Sequence, residues 1–206
     1  MEQKRVLHVT EKLQSAGIEN FIMNLYRNID KTKVQFDFLV TRNQEEFFAS
    51  EIEELGGRKH TIDYLSTKNI FFRILKESFY IYSFLKQHSE YKIIHVHSGT
   101  PLRIFYLLAA KLAGCPNRIY HSHSAEVNGP HSKLFLKKTL FKILRLFFSF
   151  VGTHFFACSN AAAIWMYPSF LIKKGKVQVI NNGIDVNKFQ FNDNIREAYR
   201  KDLNIE

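Results

Sequence analysis

The hydrophobic and polar positions along the chain fall into two alternating kinds of segment. Short runs rich in β-branched and aromatic residues are separated by longer segments in which apolar residues recur with helical spacing. This alternation is typical of a parallel sheet built from βαβ units. The predicted strands are residues 5–10, 33–41, 58–63, 92–97, 118–122, 154–159 and 177–180.

The segments between these strands have the period of amphipathic helices. Two of them are followed by glycine, at Gly56 and Gly114, where a left-handed C-terminal cap forms at little cost. The sequence therefore predicts an α/β fold, with a Rossmann-like, doubly wound and mainly parallel sheet of about seven strands and helices on both faces. The predicted helices are residues 19–29, 45–55, 69–88, 101–113, 133–150 and 160–167.

The residues that follow each predicted strand are the candidates for function, because ligands of a doubly wound sheet bind at the carboxyl ends of its strands. In this chain those positions hold small, polar or imidazole side chains. They are Ser15, Ala16, Gly17, His97, Ser98, Gly99, Thr100, His121, Ser122, His123, Ser124, Ser159, Asn160 and residues 181–185.

The loop Ser15, Ala16 and Gly17 stands before the first predicted helix. Small residues let the backbone approach a ligand closely, and the helix offers unpaired N–H groups and the positive end of its dipole to an anion. A phosphate site is one interpretation, and a turn that merely starts a helix is the other. The Gly-x-Gly-x-x-Gly spacing is absent, which argues against a nicotinamide dehydrogenase.

Two pairs of histidines are each two residues apart in a predicted strand, so each pair projects to one face. We expect His97 and His123, at or past the strand ends, to face a ligand. His95 and His121 are expected to lie in the core or to line the cleft. No cysteine or carboxylate has metal-ligand spacing with them, so no metal is expected.

Two further polar candidates have ordinary structural explanations as well. Ser159 is best explained as a helix N-cap, which does not prevent it from also lining the cleft. Asn182 belongs to an Asn-Asn-Gly turn signal, and at the end of the last predicted strand it would also line the cleft.

Lys and Arg total 29 against 19 Asp and Glu, and the formal net charge of +10 favours an anionic partner such as a phosphate or a lipid surface. Nucleic acid is not expected, because the aromatic residues occur at core spacing and not as a stacking platform.

Cys115 and Cys158 are expected to be free thiols in a cytoplasmic protein. The longest uncharged apolar stretch, residues 146–158, is shorter than the ~20 residues that span a bilayer.

The segment 132–150 mixes basic and large apolar residues, and we expect it to form an interfacial helix on an anionic membrane surface. An ordinary solvated basic face is the alternative. At about 100° per residue, the side predicted to face the core holds Phe135, Leu136, Leu140, Ile143, Leu144, Leu146, Phe147 and Phe150. The expected membrane contacts are Lys138, Phe141, Lys142, Arg145 and Phe148.

Several segments, in order along the chain, carry a family resemblance: RVLHVT, SAGIENFIMNLYRNI, VQFDFLV, IIHVHS, RIYHSHS, FFACS and VINNGIDVNKF. Together they resemble the N-terminal half of a retaining GT-B glycosyltransferase of family 4. The resemblance implies that residues 1–190 are a Rossmann-like acceptor-side domain and that residues 191–206 are a linker helix toward a second, donor-binding domain. It further implies that this chain alone is inactive.

The activity implied for the whole enzyme is transfer of a sugar from a nucleotide-sugar donor to a saccharide or lipid-linked acceptor, in exopolysaccharide or capsule synthesis, without a metal or other cofactor. Retention implies front-face substitution, in which positioning and electrostatic stabilisation of the leaving diphosphate do the work. The expected location is cytoplasmic, at the inner face of the membrane where a lipid acceptor is used.

The resemblance also implies roles for single residues. Amides of the first loop lie near the donor diphosphate in that family, and here Ala16 replaces the first glycine of the pattern while Gly17 and Glu19 are in register. His123 best fits the histidine that contacts the donor sugar and is the implied catalytic residue. Asn182 joins Ala16 and Gly17 on the donor side. The implied acceptor or cleft-lining residues are His97, Ser98, Gly99, His121 and Ser159.

Two other classes of protein stay open at this point. One is a non-catalytic, basic module that binds membranes on a Rossmann-like sheet, and the other is a GT-B sugar-nucleotide epimerase. Vesicle binding separates the two, because an epimerase has no need of a lipid surface.

Overall fold

The computed structural model describes residues 3–42, 47–62, 69–125, 134–184 and 186–205, apart from the side chains of 134–137 and 188. Its strands are β1 (Lys4–Thr10), β2 (Val34–Val40), β3 (Lys59–Thr61), β4 (Ile93–Ser98), β5 (Asn117–Ser122), β6 (His154–Ala157) and β7 (Val177–Val179). They form one sheet in the order β3-β2-β1-β4-β5-β6-β7, and every neighbouring pair is parallel. The predicted doubly wound sheet is confirmed.

The helices begin and end close to the predicted positions, with some differences. The segment 133–150 is split into two helices, a 3₁₀ turn at Pro101–Arg103 precedes the fourth helix, and one short helix at Ser169–Lys173 was not predicted. The helices are α1 (Gly17–Asn28), α2 (Ala49–Glu54), α3 (Ile70–Gln87), α4 (Ile104–Leu112), α5 (Leu134–Leu146), α6 (Phe148–Val151), α7 (Asn160–Met166), α8 (Ser169–Lys173) and α9 (Asp193–Asp202).

Glycines end two of these helices as the sequence predicts. Gly56 has φ of +84° and Gly114 has φ of +88°, which is the left-handed region that a residue with a side chain adopts only at a cost. At the other end, Asn69 caps α3 by accepting a hydrogen bond from the backbone N–H of Phe71 at 2.9 Å. These local signals therefore fix where the chain leaves each helix and where the next strand can begin.

Two hydrophobic clusters cover the two faces of the sheet. One contains the α1 residues Ile22 and Tyr26 against Phe36 and Phe38 of β2. The other contains the opposite sides of the same strands, such as Ile94, with residues from α3, α4 and the helices of the second half. The alternation of side chains along each strand produces this division. Helices on both faces are thus confirmed.

The helix α5 is rotated relative to its predicted orientation. Phe141 is 5% exposed and Phe148 of α6 is fully buried, so these two expected membrane contacts belong to the core. Phe148 packs edge-on against Tyr120 at 4.8 Å between ring centroids. The residues expected to face the core are instead mostly exposed; they are Leu140, Ile143, Leu146, Phe147 and Phe150, while Leu144 is buried as predicted.

The error has a physical origin. Two apolar stripes run along this segment, and either could face the sheet by hydrophobicity alone. Packing selects the stripe that ends in Phe148 and Val151, because Phe148 meets Tyr120 of β5 and Tyr167, which follows α7. The side chains of Phe135 and Leu136, which share the prediction, lie outside the described residues. Among the helices described, none is both long enough and apolar enough to cross a membrane.

Candidate functional site

A cleft of about 430 Å³ opens at the carboxyl edge of the sheet. The loops after β1, β4 and β5 line it, together with a residue from the segment after β7. It therefore occupies the position that a doubly wound sheet offers to ligands. The structure brings eight of the candidate residues together here: Ala16, Gly17, Ser98, Gly99, Thr100, His123, Ser124 and Asn182.

The first loop presents an uncapped helix end to this cleft. Ala16 occupies the N-cap position of α1 with extended backbone, and no side chain accepts a hydrogen bond there. A Cβ atom added at Gly17 would meet nothing within 4 Å, so space lies against its backbone. The free N–H groups and the helix dipole together make this loop suited to an anion.

Glu19 lies in the first turn of α1 and belongs to the same cleft. It is buried, and its Oε1 accepts a hydrogen bond from Thr10 Oγ1 at 3.2 Å. Burial raises the pKa of Glu19, although its hydrogen bonds oppose that shift. The side chain thereby connects the end of β1 to the start of α1.

The loops after β4 and β5 touch each other through a glycine. A Cβ atom at Gly99 would collide with the side chain of Ser124, so the close approach of these loops requires glycine there. Ser98 Oγ accepts a hydrogen bond from the backbone N–H of Thr100 at 3.1 Å. This turn leads into the 3₁₀ segment that carries Arg103 into the cleft.

An ion pair in the cleft was not predicted from the sequence. The Arg103 guanidinium is buried and donates from Nη2 to Glu11 Oε2 at 2.9 Å, while Arg42 Nη2 lies 2.6 Å from Glu11 Oε1. The signal that could have indicated it was the position of SGTPLR directly after a strand. Arg103 places a fixed positive charge beside the uncapped end of α1.

A row of histidines lies behind the cleft on the face of the sheet that α1 covers. His97 is 1% exposed, and its Nδ1 is 3.0 Å from His123 Nε2. Its Nε2 is 2.9 Å from His8 Nδ1. The expectation that His97 faces a ligand is wrong, because β4 continues through Ser98 and His97 lies inside the strand. His123 follows the end of β5 and reaches the cleft, as predicted.

The buried histidines are neutral at physiological pH. Burial lowers the pKa of His8 to about 3, that of His121 to about 2 and that of His123 to about 4. Burial also lowers the pKa values of His95 and His97 well below the usual range. Each ring therefore carries one proton and can donate from one nitrogen and accept at the other.

Two groups of three histidines have ring nitrogens within 4.8 Å of one another: His8, His95 and His97, and His97, His121 and His123. His97 belongs to both groups, and both of its ring nitrogens are already engaged in hydrogen bonds. A metal ion in either group would have to break one of these bonds. The absence of a metal from this site remains a prediction.

Two predicted cleft residues lie elsewhere. His121 is buried and lines a second cavity, of about 850 Å³, between the sheet, α1 and the residues after β7. Ser159 is the N-cap of α7, and its Oγ accepts a hydrogen bond from the backbone N–H of Ala162 at 3.1 Å. Neither lines the cleft described above. Asp185, at the end of the last candidate loop, lies outside the described residues.

Comparison with known proteins places this chain in a family. One relative is EpsF of Bacillus subtilis (strain 168), a protein named provisionally as a glycosyltransferase, which is 34% identical to this chain over 190 residues. The match covers 91% of this chain and 47% of EpsF. The chain thus spans about half the length of this curated relative.

Solved structures share the fold. A glycosyltransferase from Rickettsia africae ESF-5 matches all of this chain and 51% of its own, at 18% identity and a TM-score of 0.64. Anabaena Alr3699/HepE, solved in complex with UDP and glucose, matches over 98% of this chain and 50% of its own, at 14% identity and a TM-score of 0.62. These matches are consistent with half of a GT-B fold. A family model for Glycosyltransferase Family 4 matches residues 15–188, and the chain belongs to that family.

Proposed function

We propose that this chain is the acceptor-side half of a retaining glycosyltransferase that transfers a sugar from a nucleotide-sugar donor to a saccharide or lipid-linked acceptor. The family and the EpsF relative support glycosyl transfer, and the name EpsF loosely favours a role in exopolysaccharide synthesis. The observation that carries the proposal is the convergence of the uncapped α1 terminus, Arg103 and His123 on one cleft. HepE, with the same fold, binds UDP and glucose.

In this proposal each group has a distinct task. The N–H groups of the first turn of α1, beginning at Gly17, and the dipole of α1 stabilise the departing diphosphate, with Ala16 and Asn182 beside them. His123 makes a hydrogen bond to a hydroxyl group of the donor sugar through Nδ1, since its Nε2 is bonded to His97. Arg103 adds positive charge where negative charge develops.

The reaction needs no nucleophile from the protein. The bond between the anomeric carbon and the diphosphate oxygen breaks, and its electron pair leaves with the diphosphate. The acceptor hydroxyl oxygen forms the new bond on the same face, and its proton passes to the leaving diphosphate oxygen. The enzyme contributes orientation and charge stabilisation.

Substitution of His123 tests its role in the whole enzyme. His123→Ala should lower kcat/KM by about 10- to 100-fold, the loss expected for one hydrogen bond in the transition state, and leave the melting temperature nearly unchanged. A lower melting temperature with an intact rate would assign His123 to the fold instead.

Experiments on the isolated chain test whether the nucleotide is bound mainly by the other half of the enzyme. Calorimetry with UDP and assays of donor hydrolysis should show neither micromolar binding nor turnover, because we propose that the remaining half of the enzyme makes most nucleotide contacts.

With the whole enzyme, NMR of the products should show a new glycoside with retained configuration. A free sugar nucleotide epimerised in its sugar ring would favour the epimerase alternative.

The membrane partner also belongs to this proposal, with a corrected contact surface. One side of α5 and α6 exposes Leu140, Ile143, Phe147 and Phe150, which are 42%, 52%, 53% and 63% exposed. Lys138 and Lys142 are exposed on α5, and Lys111 Nζ lies 3.4 Å from the centre of the Phe150 ring. Apolar groups mixed with cations suit an anionic headgroup region, where each cation contributes about 1 kcal/mol.

Vesicle co-sedimentation tests this surface. The chain should bind vesicles that contain anionic lipid at low salt and lose binding at high salt. The Ile143→Ser/Phe147→Ser variant should bind several-fold more weakly, while Phe79→Ser, a 71% exposed phenylalanine on α3, should behave as the wild type. Binding that is absent at low salt, or equal in both variants, would exclude the membrane partner at this surface.

A further inference from the structure

Three histidine rings form one continuous hydrogen-bonded line from the core to the cleft. His8 Nδ1 lies 2.9 Å from His97 Nε2, and His97 Nδ1 lies 3.0 Å from His123 Nε2. His8 and His97 are each 1% exposed. Only His123 reaches the cleft. The line joins β1, β4 and the end of β5, which are far apart in the sequence.

The single proton of each neutral ring couples the three tautomers. His97 has one N–H, so it donates at one nitrogen and must accept at the other. Its two hydrogen bonds therefore run in the same direction along the line. Either His8 donates to His97 and His97 donates to His123, or both bonds are reversed. A change of tautomer at one ring requires a change at all three.

The buried end of the line favours one direction. His8 Nε2 is buried and has no hydrogen-bond partner. If the line ran from His123 toward His8, this nitrogen would carry a buried N–H with no acceptor, which is rare in folded proteins. If the line runs from His8 toward His123, the same nitrogen is an unprotonated acceptor, and the one N–H without a protein partner is at His123, which reaches the cleft.

We propose that His97, whose other nitrogen is bonded to His8, is a positioning residue that holds His123 in the Nδ1–H tautomer, so that His123 presents a hydrogen-bond donor to the ligand in the cleft. Within the described residues, no hydrogen bond to His123 Nδ1 is formed, which leaves this donor for an oxygen of the bound molecule. The use of this donor on the donor sugar or its diphosphate rests on the proposed function. The tautomer itself does not.

Nitrogen NMR of the ¹⁵N-histidine-labelled chain without ligand measures the tautomers directly. In the wild type, His123 should show a protonated Nδ1 and an unprotonated Nε2. His97→Phe keeps an aromatic ring against His95 but removes the N–H that donates to His123 Nε2. In this variant His123 should become a mixture of tautomers, with both ¹⁵N shifts moved toward the average.

A matched control separates hydrogen bonding from packing. His95 stacks on His97 at 4.1 Å between ring centroids but is not part of the line. His95→Phe should therefore leave the His123 shifts as in the wild type. The proposal fails if His123 has its proton on Nε2 in the wild type, if His97→Phe leaves the His123 shifts unchanged, or if His95→Phe moves them equally.

The same variants in the whole enzyme test the consequence for the reaction. His97→Phe should lower kcat/KM by about 2- to 10-fold, in proportion to the lost fraction of the competent tautomer, and His95→Phe should not. If the tautomer changes while the rate does not, the hydrogen-bonded line stands and the proposed contact of His123 with the donor fails.

Discussion

Replacement of Asp37 by asparagine should destabilise the chain strongly without changing the cleft. Asp37 is fully buried in β2, and its oxygens accept hydrogen bonds from Arg5 at 2.5 and 2.6 Å. They also accept from the hydroxyl of Tyr91 at 2.8 Å and from the backbone N–H of Arg58 at 2.7 Å. One carboxylate thus connects β1, β2 and the starts of β3 and β4, and none of these residues lines the cleft.

The magnitude follows from what the substitution leaves behind. Removal of one partner of a buried ion pair costs about 3–5 kcal/mol, because the other charge stays in a poorly solvated place. The Arg5 side chain is 16% exposed and can recover part of its hydration. We therefore expect a loss of unfolding free energy at the lower end of this range, about 3 kcal/mol. That loss is a large part of the 5–15 kcal/mol typical of a whole domain.

The effect should depend on pH. Burial raises the pKa of Asp37, but the hydrogen bonds from Arg5, Arg58 and Tyr91 outweigh burial and the pKa is lowered overall. The stabilisation from such a group is complete above the unfolded pKa of about 3.9 and is lost as the pH falls through the folded pKa. The difference between wild type and Asp37→Asn should therefore be largest near pH 7 and shrink below about pH 4.

Urea denaturation followed by circular dichroism measures this difference. The matched control is Asp30→Asn, which removes an exposed carboxylate paired with Lys33 at 2.9 Å and should change the unfolding free energy far less. A loss below about 1 kcal/mol for Asp37→Asn, or a loss that does not shrink in acid, would refute the reasoning.

Three further predictions concern the cleft and its neighbours. Ser159→Ala should reduce the free energy of unfolding by about 1 kcal/mol through loss of the α7 cap, and leave the activity of the whole enzyme unchanged in a rate assay. Gly99→Ala should lower kcat/KM measurably, because the new methyl group pushes the loop of Ser124 away and widens the cleft. Phe148→Ser should lower the melting temperature sharply, since it removes a fully buried ring, and a variant that melts like the wild type would contradict the observed rotation of α5.

The sequence by itself determined the order and type of the strands and of the longer helices. The strands are short and bounded by turn residues. The left-handed glycines Gly56 after α2 and Gly114 after α4 are local requirements of the backbone. The rule that ligands bind at the carboxyl edge then placed Gly17, Gly99 and His123 near each other. Period and turn chemistry act over a few residues, so they can be read without the fold.

The tertiary structure decided what depends on partners distant in the chain. The orientation of α5 could not be predicted, because both of its stripes are apolar and Tyr120 and Tyr167 select between them. The two partners of His97 lie 89 and 26 residues away, and no local pattern marks His8 as one of them. The hydrophobic period shows which residues can be buried. Contacts between strands decide which histidine and aromatic rings pack together. Those contacts exist only in the assembled sheet.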